Sequence, residues 1–416
     1  MTQGALAGVT RIPAGPPRDP AQCRAVRFTV ALLMVSLVLQ RLALSLGSSS
    51  VSLTLPAGLG LIAFGLLRGT LMLHRIRLLA YLALVGLVLL GFAWRATGAA
   101  GAATPSVPSM LQFLLLSAAG AVSFAEPVGQ KIFFRAVNQC FLLIAVAGLL
   151  QFAAQFAGLR LFSFTGILPD GMLFEQGYNL QIPAGIGDLL KSNGFFLVEP
   201  SVFSQIMALG LMIEGLTTRR PRNLALFGAG LMVSFSGTGW IVLGAFVLAA
   251  PFRLGVRGLG LAAAMVVAVA GAAGLLVLLA PDISAAFANR LDEVLRPGTS
   301  GHMRFVTPYW LLGHVIGLDP ASVLVGIGSG MAERQTLAYE YDVNTPVKVA
   351  VEFGLPALLA YLVLFTWARR TAVQGALLVP VMVLFLFTGG YQQFPPIVFI
   401  VLLLSVTARL RPDPPS

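Results

Sequence analysis

The sequence predicts an all-α polytopic membrane protein with about twelve transmembrane helices, and three observations lead there. Of the 416 residues, 57% are hydrophobic and 10% charged, whereas a soluble domain carries about a quarter charged residues. Apolar runs of roughly 17 to 25 residues, each long enough at about 1.5 Å per residue to cross the hydrocarbon of a bilayer, recur from residue 26 to the C-terminus. Arginines sit at alternate ends of these runs, which is a topology signal.

In chain order the expected spans fall near 26–46, 50–67, 78–94, 108–125, 136–157, 200–217, 223–236, 239–252, 258–280, 346–367, 372–388 and 394–408. Residues 1–25 are rich in Pro, Gly and Arg and are expected to form a disordered cytoplasmic tail, because they cannot bury enough apolar surface to offset chain entropy. No cleavable signal peptide is recognisable. Residues 26–410 are expected to form a single transmembrane domain and residues 411–416 a second cytoplasmic tail.

The net charge of +11 raises the question of nucleic acid, but the basic residues form no stripe or tail. With both termini placed inside, the expected cytoplasmic segments hold 18 of the 27 Lys and Arg: Arg11, Arg18, Arg24, Arg27, Arg68, Arg75, Arg77, Lys131, Arg135, Arg219, Arg220, Arg222, Arg253, Arg257, Arg369, Arg370, Arg409 and Arg411. The acids Asp170, Glu175, Asp188, Glu199, Asp282, Asp292, Glu293, Asp319, Glu333, Glu340, Asp342 and Glu352 fall on or near the opposite side. This asymmetry predicts a membrane protein with its positive segments on the cytoplasmic side. Cys23 belongs to the tail and Cys140 to a span, so neither a disulfide nor a cysteine metal site is expected.

Two external connections are long, residues 158–198 and 281–345, and loops of that length are usually functional. Each holds an apolar stretch too short to span, Leu161 to Leu168 and Tyr309 to Ile316, expected at the membrane interface. Thr307 is the expected N-cap of the second stretch with Pro308 at its first position, which puts Arg304 in the preceding turn. There is no repeat at fixed period and no pair of corresponding broken segments, which argues against an inverted-repeat transporter.

Three blocks carry the candidate chemistry. Lys191 to Ser204 reads KSNGFFLVEPSVFS, with Glu199 where water ends. A carboxylate there is either a functional group or an acid that opens a helix with Pro200. FSGTGW, residues 235–240, offers the Ser236 and Thr238 hydroxyls to a hydroxyl-rich ligand, or is a small-residue turn that lets helices approach. His302 to Arg304 is followed by VGIGSG, by Arg334 and by Asp342 and Asn344. A guanidinium there suits phosphate oxygens, while glycine turns expose N–H groups to anions or simply bend. With His302 and His314 the only external histidines and no Glu or Cys at ligand spacing, no metal is expected.

These blocks resemble the bacterial O-antigen polymerase (Wzy) and O-antigen ligase type of polysaccharide polymerases. NGFFLVEPSVFS is similar to that family's Arg-x-x-Gly-x-Phe-x-Glu-Pro-Ser segment, FSGTGW to its Ser-x-Ser-x-Thr-Gly turn, and RFVTPYW with VGIGSG to its long-loop motif. The similarity covers roughly residues 130 to 405. It implies a GT-C-like membrane glycosyltransferase with two long periplasmic loops, using an undecaprenyl-pyrophosphate-linked glycan in the membrane lipid, with a chain-length regulator as a possible partner and no cofactor. Carried over, Arg304 would bind the lipid pyrophosphate, Lys191 would replace the family's first-loop arginine, and Glu199 would hold the acidic position. Where many members have a histidine before the tenth span this chain has Val343-Asn344-Thr345, which argues against a ligase and leaves Asn344 only hydrogen bonding.

The expected chemistry is therefore that Arg304, with Lys191 and Arg334, holds the donor pyrophosphate while Glu199 or Asp342 activates the acceptor hydroxyl. A lipid-linked oligosaccharide flippase is the rival from another class.

Overall fold

The computed structural model describes residues 19–46, 49–97, 104–174, 179–185, 187–279, 296–337, 341–368 and 370–412. Residues 1–18 of the expected tail, Glu175, Asp282, Asp292, Glu293, Glu340, Arg369 and residues 413–416 lie outside them. The described chain is predominantly helical. Among the described residues three helices are long and apolar enough to cross a membrane, Pro20–Val38, Arg75–Ala96 and Gln130–Ala157, and further apolar stretches of helix, such as Thr54–Leu67 and Val256–Ala268, are shorter.

The first helix, α1 (Pro20–Val38), starts six residues before the expected span, because Asp19 caps it and Pro20 supplies a preset first φ. It also ends early. Next, β1 (Ala43–Leu46) pairs antiparallel with β2 (Ser49–Ser52). Then follow α2 (Thr54–Leu67), β3 (Leu71–Leu73), α3 (Arg75–Ala96), α4 (Val107–Ala118), β4 (Val122–Phe124), β5 (Val128–Gly129) and α5 (Gln130–Ala154). After the first long loop come α6 (Pro200–Leu216), α7 (Pro221–Val233), α8 (Thr238–Leu254) and α9 (Val256–Leu279). The second long loop contains α10 (Ser300–Phe305), α11 (Thr307–Leu318) and the short α12 (Ser322–Val325). The chain closes with α13 (Thr345–Phe353), α14 (Leu355–Thr366), α15 (Ala372–Phe387), α16 (Pro395–Leu402) and β6 (Leu410–Arg411).

Segments distant in the chain pair with one another at the two ends of the bundle. At one end β3 pairs with β4 and β5 with β6, Arg77 donates to the Gly120 carbonyl at 2.9 Å, and Arg409 donates to that of Ala125 at 2.8 Å. At the other end Leu42 bridges Leu173, the Ser106 N–H donates to the Ser329 carbonyl at 2.8 Å, and Gln112 donates to the Gln393 carbonyl at 2.8 Å. These pairings satisfy backbone groups that helix ends leave open.

The centre of the bundle is α6, in which every residue from Pro200 to Gly215 except Leu211 is buried. A helix apolar on all sides belongs in such a place. Its neighbours α7 and α8 approach through the small residues of FSGTGW. A Cβ on Gly239 would lie 2.4 Å from the Ser204 carbonyl oxygen, so no side chain fits unless the helices separate. Gly239→Ala is expected to cost on the order of 1–3 kcal/mol, read as a lower thermal midpoint of the detergent-purified protein; an unchanged midpoint would mean the helices yield freely.

The expectation of unbroken spans needs correction at 346–367, where two helices meet at Gly354, with φ +85°. Its Cβ position lies 2.3 Å from the Leu324 carbonyl, so glycine is required both for its conformation and for the close approach of the second long loop. Lys348 and Glu352 are buried on α13, and Arg77 and Arg95 are buried on α3. Arg41 and Glu214 are buried as well.

Candidate functional site

The first long loop delivers Glu199 through a rigid aromatic turn. Gln151 on α5 uses one oxygen to accept from the Ser192 hydroxyl at 2.9 Å and from the Asn193 and Phe195 N–H groups at 3.1 and 3.2 Å. Gly194 and Phe195 both have positive φ, +70° and +64°, a conformation a bulky residue adopts only where its surroundings impose it. The buried Arg41 guanidinium holds the other side, donating to the Phe162 carbonyl at 2.9 Å and that of Phe195 at 3.3 Å, with Phe164 against its face. Pro200 then starts α6 with Glu199 at the N-cap position.

Glu199 does not behave as a capping acid. Its side chain makes no bond to the helix N–H groups; instead Oε2 accepts from the Ser201 hydroxyl at 2.6 Å and faces Nη2 of Arg304 at 3.6 Å. Arg304 arrives on α10 from the second long loop, and its Nε donates to Oδ2 of Asp342 at 3.0 Å. Asp342 is held by its own N–H, which donates to the Met303 carbonyl at 3.0 Å. A minor apolar core of Leu311, Val315, Ala332, Val343, Val347 and Val351 fixes this loop beneath α11. Three segments distant in sequence thus bring together Arg304, Glu199 and Asp342. Their side chains are 22%, 28% and 43% exposed, so a ligand can reach them.

Burial opposes the charge of Arg304, but Glu199, Asp342 and Tyr391 outweigh it and raise its pKa above the usual arginine value. Among the described residues one of its five guanidinium N–H donors is committed, to Asp342; Glu199 is at ion-pair rather than hydrogen-bond distance. The remaining donors are available to oxygen ligands.

Beneath the triad lies a polar layer that sequence reasoning missed. Gln205, two turns along α6 from Glu199, donates to the Tyr391 hydroxyl at 3.0 Å and to Thr388 at 3.1 Å. Tyr391 donates back to Oε1 of Gln205 at 3.2 Å. Burial pushes the Tyr391 phenol up to about 12, so it is a neutral hydroxyl at physiological pH. A tyrosine flanked by Gly-Gly and a Pro-Pro helix start, at the same end of the chain's topology as both long loops, was the available signal.

The other candidates go elsewhere. Lys191 belongs to a loop segment tied to Ile182 through its N–H and is not part of the ion-pair cluster of Arg304. Arg334 is exposed on a 3-10 turn, where it touches the Met331 sulfur. Thr238 is buried and bonds Ser204 at 3.0 Å and the Ser201 carbonyl at 3.1 Å, with Ser236 at 3.1 Å from it; this is the helix-approach reading of FSGTGW. Thr307 is not an N-cap. Val306 takes that position, and the Thr307 hydroxyl lies 3.1 Å from Nδ1 of the buried His302.

The N–H groups of the glycines of VGIGSG donate within the protein, that of Gly326 to the Ser322 carbonyl at 2.8 Å. Ile327 and Gly328 donate to the Val351 and Glu352 carbonyls at 2.8 and 3.0 Å, and Gly330 donates to the Glu352 carboxylate at 3.0 Å. The turn closes the last turn of α13 and is itself anchored by Arg95, which donates to the Gly326 carbonyl and pairs with Asp319 at 2.6 Å.

Asn344 is buried and caps α13, accepting from the Val347 N–H at 3.2 Å. Asn344→Asp keeps the cap and removes the amide donor, so we expect it to retain both stability and activity, whereas Asn344→Ala loses about 1 kcal/mol. Thermal midpoints beside product yields check this; loss of product in a stable Asn344→Asp protein would assign the amide to the ligand.

Comparison with protein-family models and with curated protein sequences yields no match to this chain.

Proposed function

We propose that this chain polymerises lipid-linked polysaccharide repeat units, transferring a growing glycan from undecaprenyl pyrophosphate to an acceptor repeat on the external face of a bacterial cytoplasmic membrane. In this reading the chain crosses the membrane about twelve times as a GT-C-like enzyme, with both termini and the arginine-rich end in the cytoplasm. The observation that carries it is the meeting of Arg304, Glu199 and Asp342 from separate segments at one end of the bundle.

A pyrophosphate leaves as a stabilised anion once its charge is neutralised, so the first need of an inverting transfer is a fixed cation. Arg304, oriented through Nε by Asp342, meets that need with its remaining N–H groups. Glu199 is the more loosely held partner. A phosphate that takes the guanidinium displaces it, and a carboxylate deprived of its cation becomes more basic. The acceptor hydroxyl then gives its proton to Glu199 as its oxygen forms the new bond to the anomeric carbon. The bond from that carbon to the pyrophosphate oxygen breaks, and the electron pair leaves with undecaprenyl pyrophosphate.

One observation favours a second reading. The broken pair α13 and α14, with Lys348 and Glu352 buried beside the break, is a feature of transporters with discontinuous helices, and suits a flippase of lipid-linked oligosaccharides. Reconstitution in liposomes with a lipid-linked repeat unit separates the two. Laddered products with free undecaprenyl pyrophosphate support the polymerase; translocation without new glycosidic bonds supports the flippase.

A further inference from the structure

At the opposite end of α6, roughly 25 Å from Glu199 by helix rise, a small open groove lies between α5, the end of α6 and the start of α7. Its α5 wall presents Arg135, Gln139 and Leu142, which at spacings of four and three residues share one helix face. Read from the helix start inward, that face passes from cation to amide to hydrocarbon over roughly 10 Å. Arg220 closes the rim from the other side. Both guanidiniums are exposed, and among the described residues neither is engaged in a hydrogen bond or ion pair. Lys131, Arg219 and Arg222 are also exposed along this end.

The one acid in the cavity, Glu214, is turned inward. It is buried and accepts from Asn138 at 2.8 Å, the Arg220 N–H at 2.9 Å, Asn223 at 3.1 Å and the Thr218 hydroxyl. Glu214 therefore ties three helices together, and the rim keeps its positive charge. This arrangement is unrelated to the triad and serves no step of the proposed transfer.

We propose that this groove is a binding site for an anionic phospholipid, with the headgroup phosphate between Arg135 and Arg220, the glycerol region at Gln139, and an acyl chain running past Leu142. Forked guanidinium donors match phosphate oxygens, and basic pockets between helices at the membrane surface select anionic headgroups. A zwitterionic choline lipid brings a second cation to a rim that already carries two.

The test uses the full-length protein purified in detergent and native mass spectrometry with defined additions of phosphatidylglycerol or phosphatidylcholine. Wild type is expected to retain phosphatidylglycerol about tenfold better than phosphatidylcholine, and the double variant Arg135→Gln/Arg220→Gln to lose that preference. Gln139→Glu, which leaves both cations in place, is expected to weaken it. Equal retention of the two lipids by wild type, an undiminished preference in both variants, or displacement of the lipid by millimolar inorganic phosphate would each overturn the proposal. None of these outcomes bears on the transferase reading, which concerns the other end of the bundle.

Discussion

Replacing Arg304 by Ala is expected to reduce polymer formation by at least about a hundredfold in the reconstituted system, the scale on which removing one preorganised donor aimed at developing charge is felt. The side chain is partly exposed and sits on a short loop helix, so its loss leaves the bundle core intact and the thermal midpoint near that of wild type. Arg304→Lys makes the sharper comparison. An ammonium keeps the charge but is a single point on a flexible stem, and cannot hold Asp342 through one nitrogen while presenting others to a phosphate. Turnover between those of wild type and Arg304→Ala is the expected result. Full activity in Arg304→Ala, at normal insertion and yield, would remove Arg304 from the site.

Glu199→Gln has the second largest expected effect, a loss of about 10²- to 10⁴-fold in the transfer step, the usual contribution of a positioned general base. Glutamine preserves shape and continues to accept from Ser201, so helix α6 starts as before. Donor binding separates the roles. Because Glu199 competes with the phosphate for Arg304, the Gln variant is expected to bind undecaprenyl pyrophosphate at least as tightly as wild type while turning over poorly. Asp342→Asn is expected to do the reverse, weakening donor binding, since Asp342 orients the guanidinium. Unchanged turnover in Glu199→Gln would leave Glu199 only a residue at a helix start.

The members of the triad were legible one by one, as ionisable groups where apolar runs meet the external loops. Their convergence was not, since it depends on how two loops of about 40 and 65 residues fold over the bundle. Asn344-Thr-Pro and Asp19-Pro20 show a subtler limit. Both are helix-start signals, a capping side chain followed by proline, yet one suggested a ligand and the other was absorbed into a tail of disordering composition. Phe353-Gly-Leu-Pro likewise carries a helix stop and restart, but hydrophobicity across 346–367 is continuous enough to conceal it. The glycines of VGIGSG could not be assigned at all from sequence. Their role rests on the approach of Gly326 to the Glu352 carbonyl, 2.2 Å from its Cβ position, a contact between segments 26 residues apart. Tyr391 and Gln205, paired across 186 positions, were hidden for the same reason.

Equilibrium binding of undecaprenyl pyrophosphate to the purified protein, beside undecaprenyl monophosphate as a control, tests the central claim most directly. The wild type should favour the diphosphate, and Arg304→Ala should bind it at least about tenfold more weakly while its affinity for the monophosphate changes little. Equal affinity of wild type and Arg304→Ala for the diphosphate would contradict the account, because the carboxylates around that guanidinium would then be orienting nothing that a lipid pyrophosphate uses.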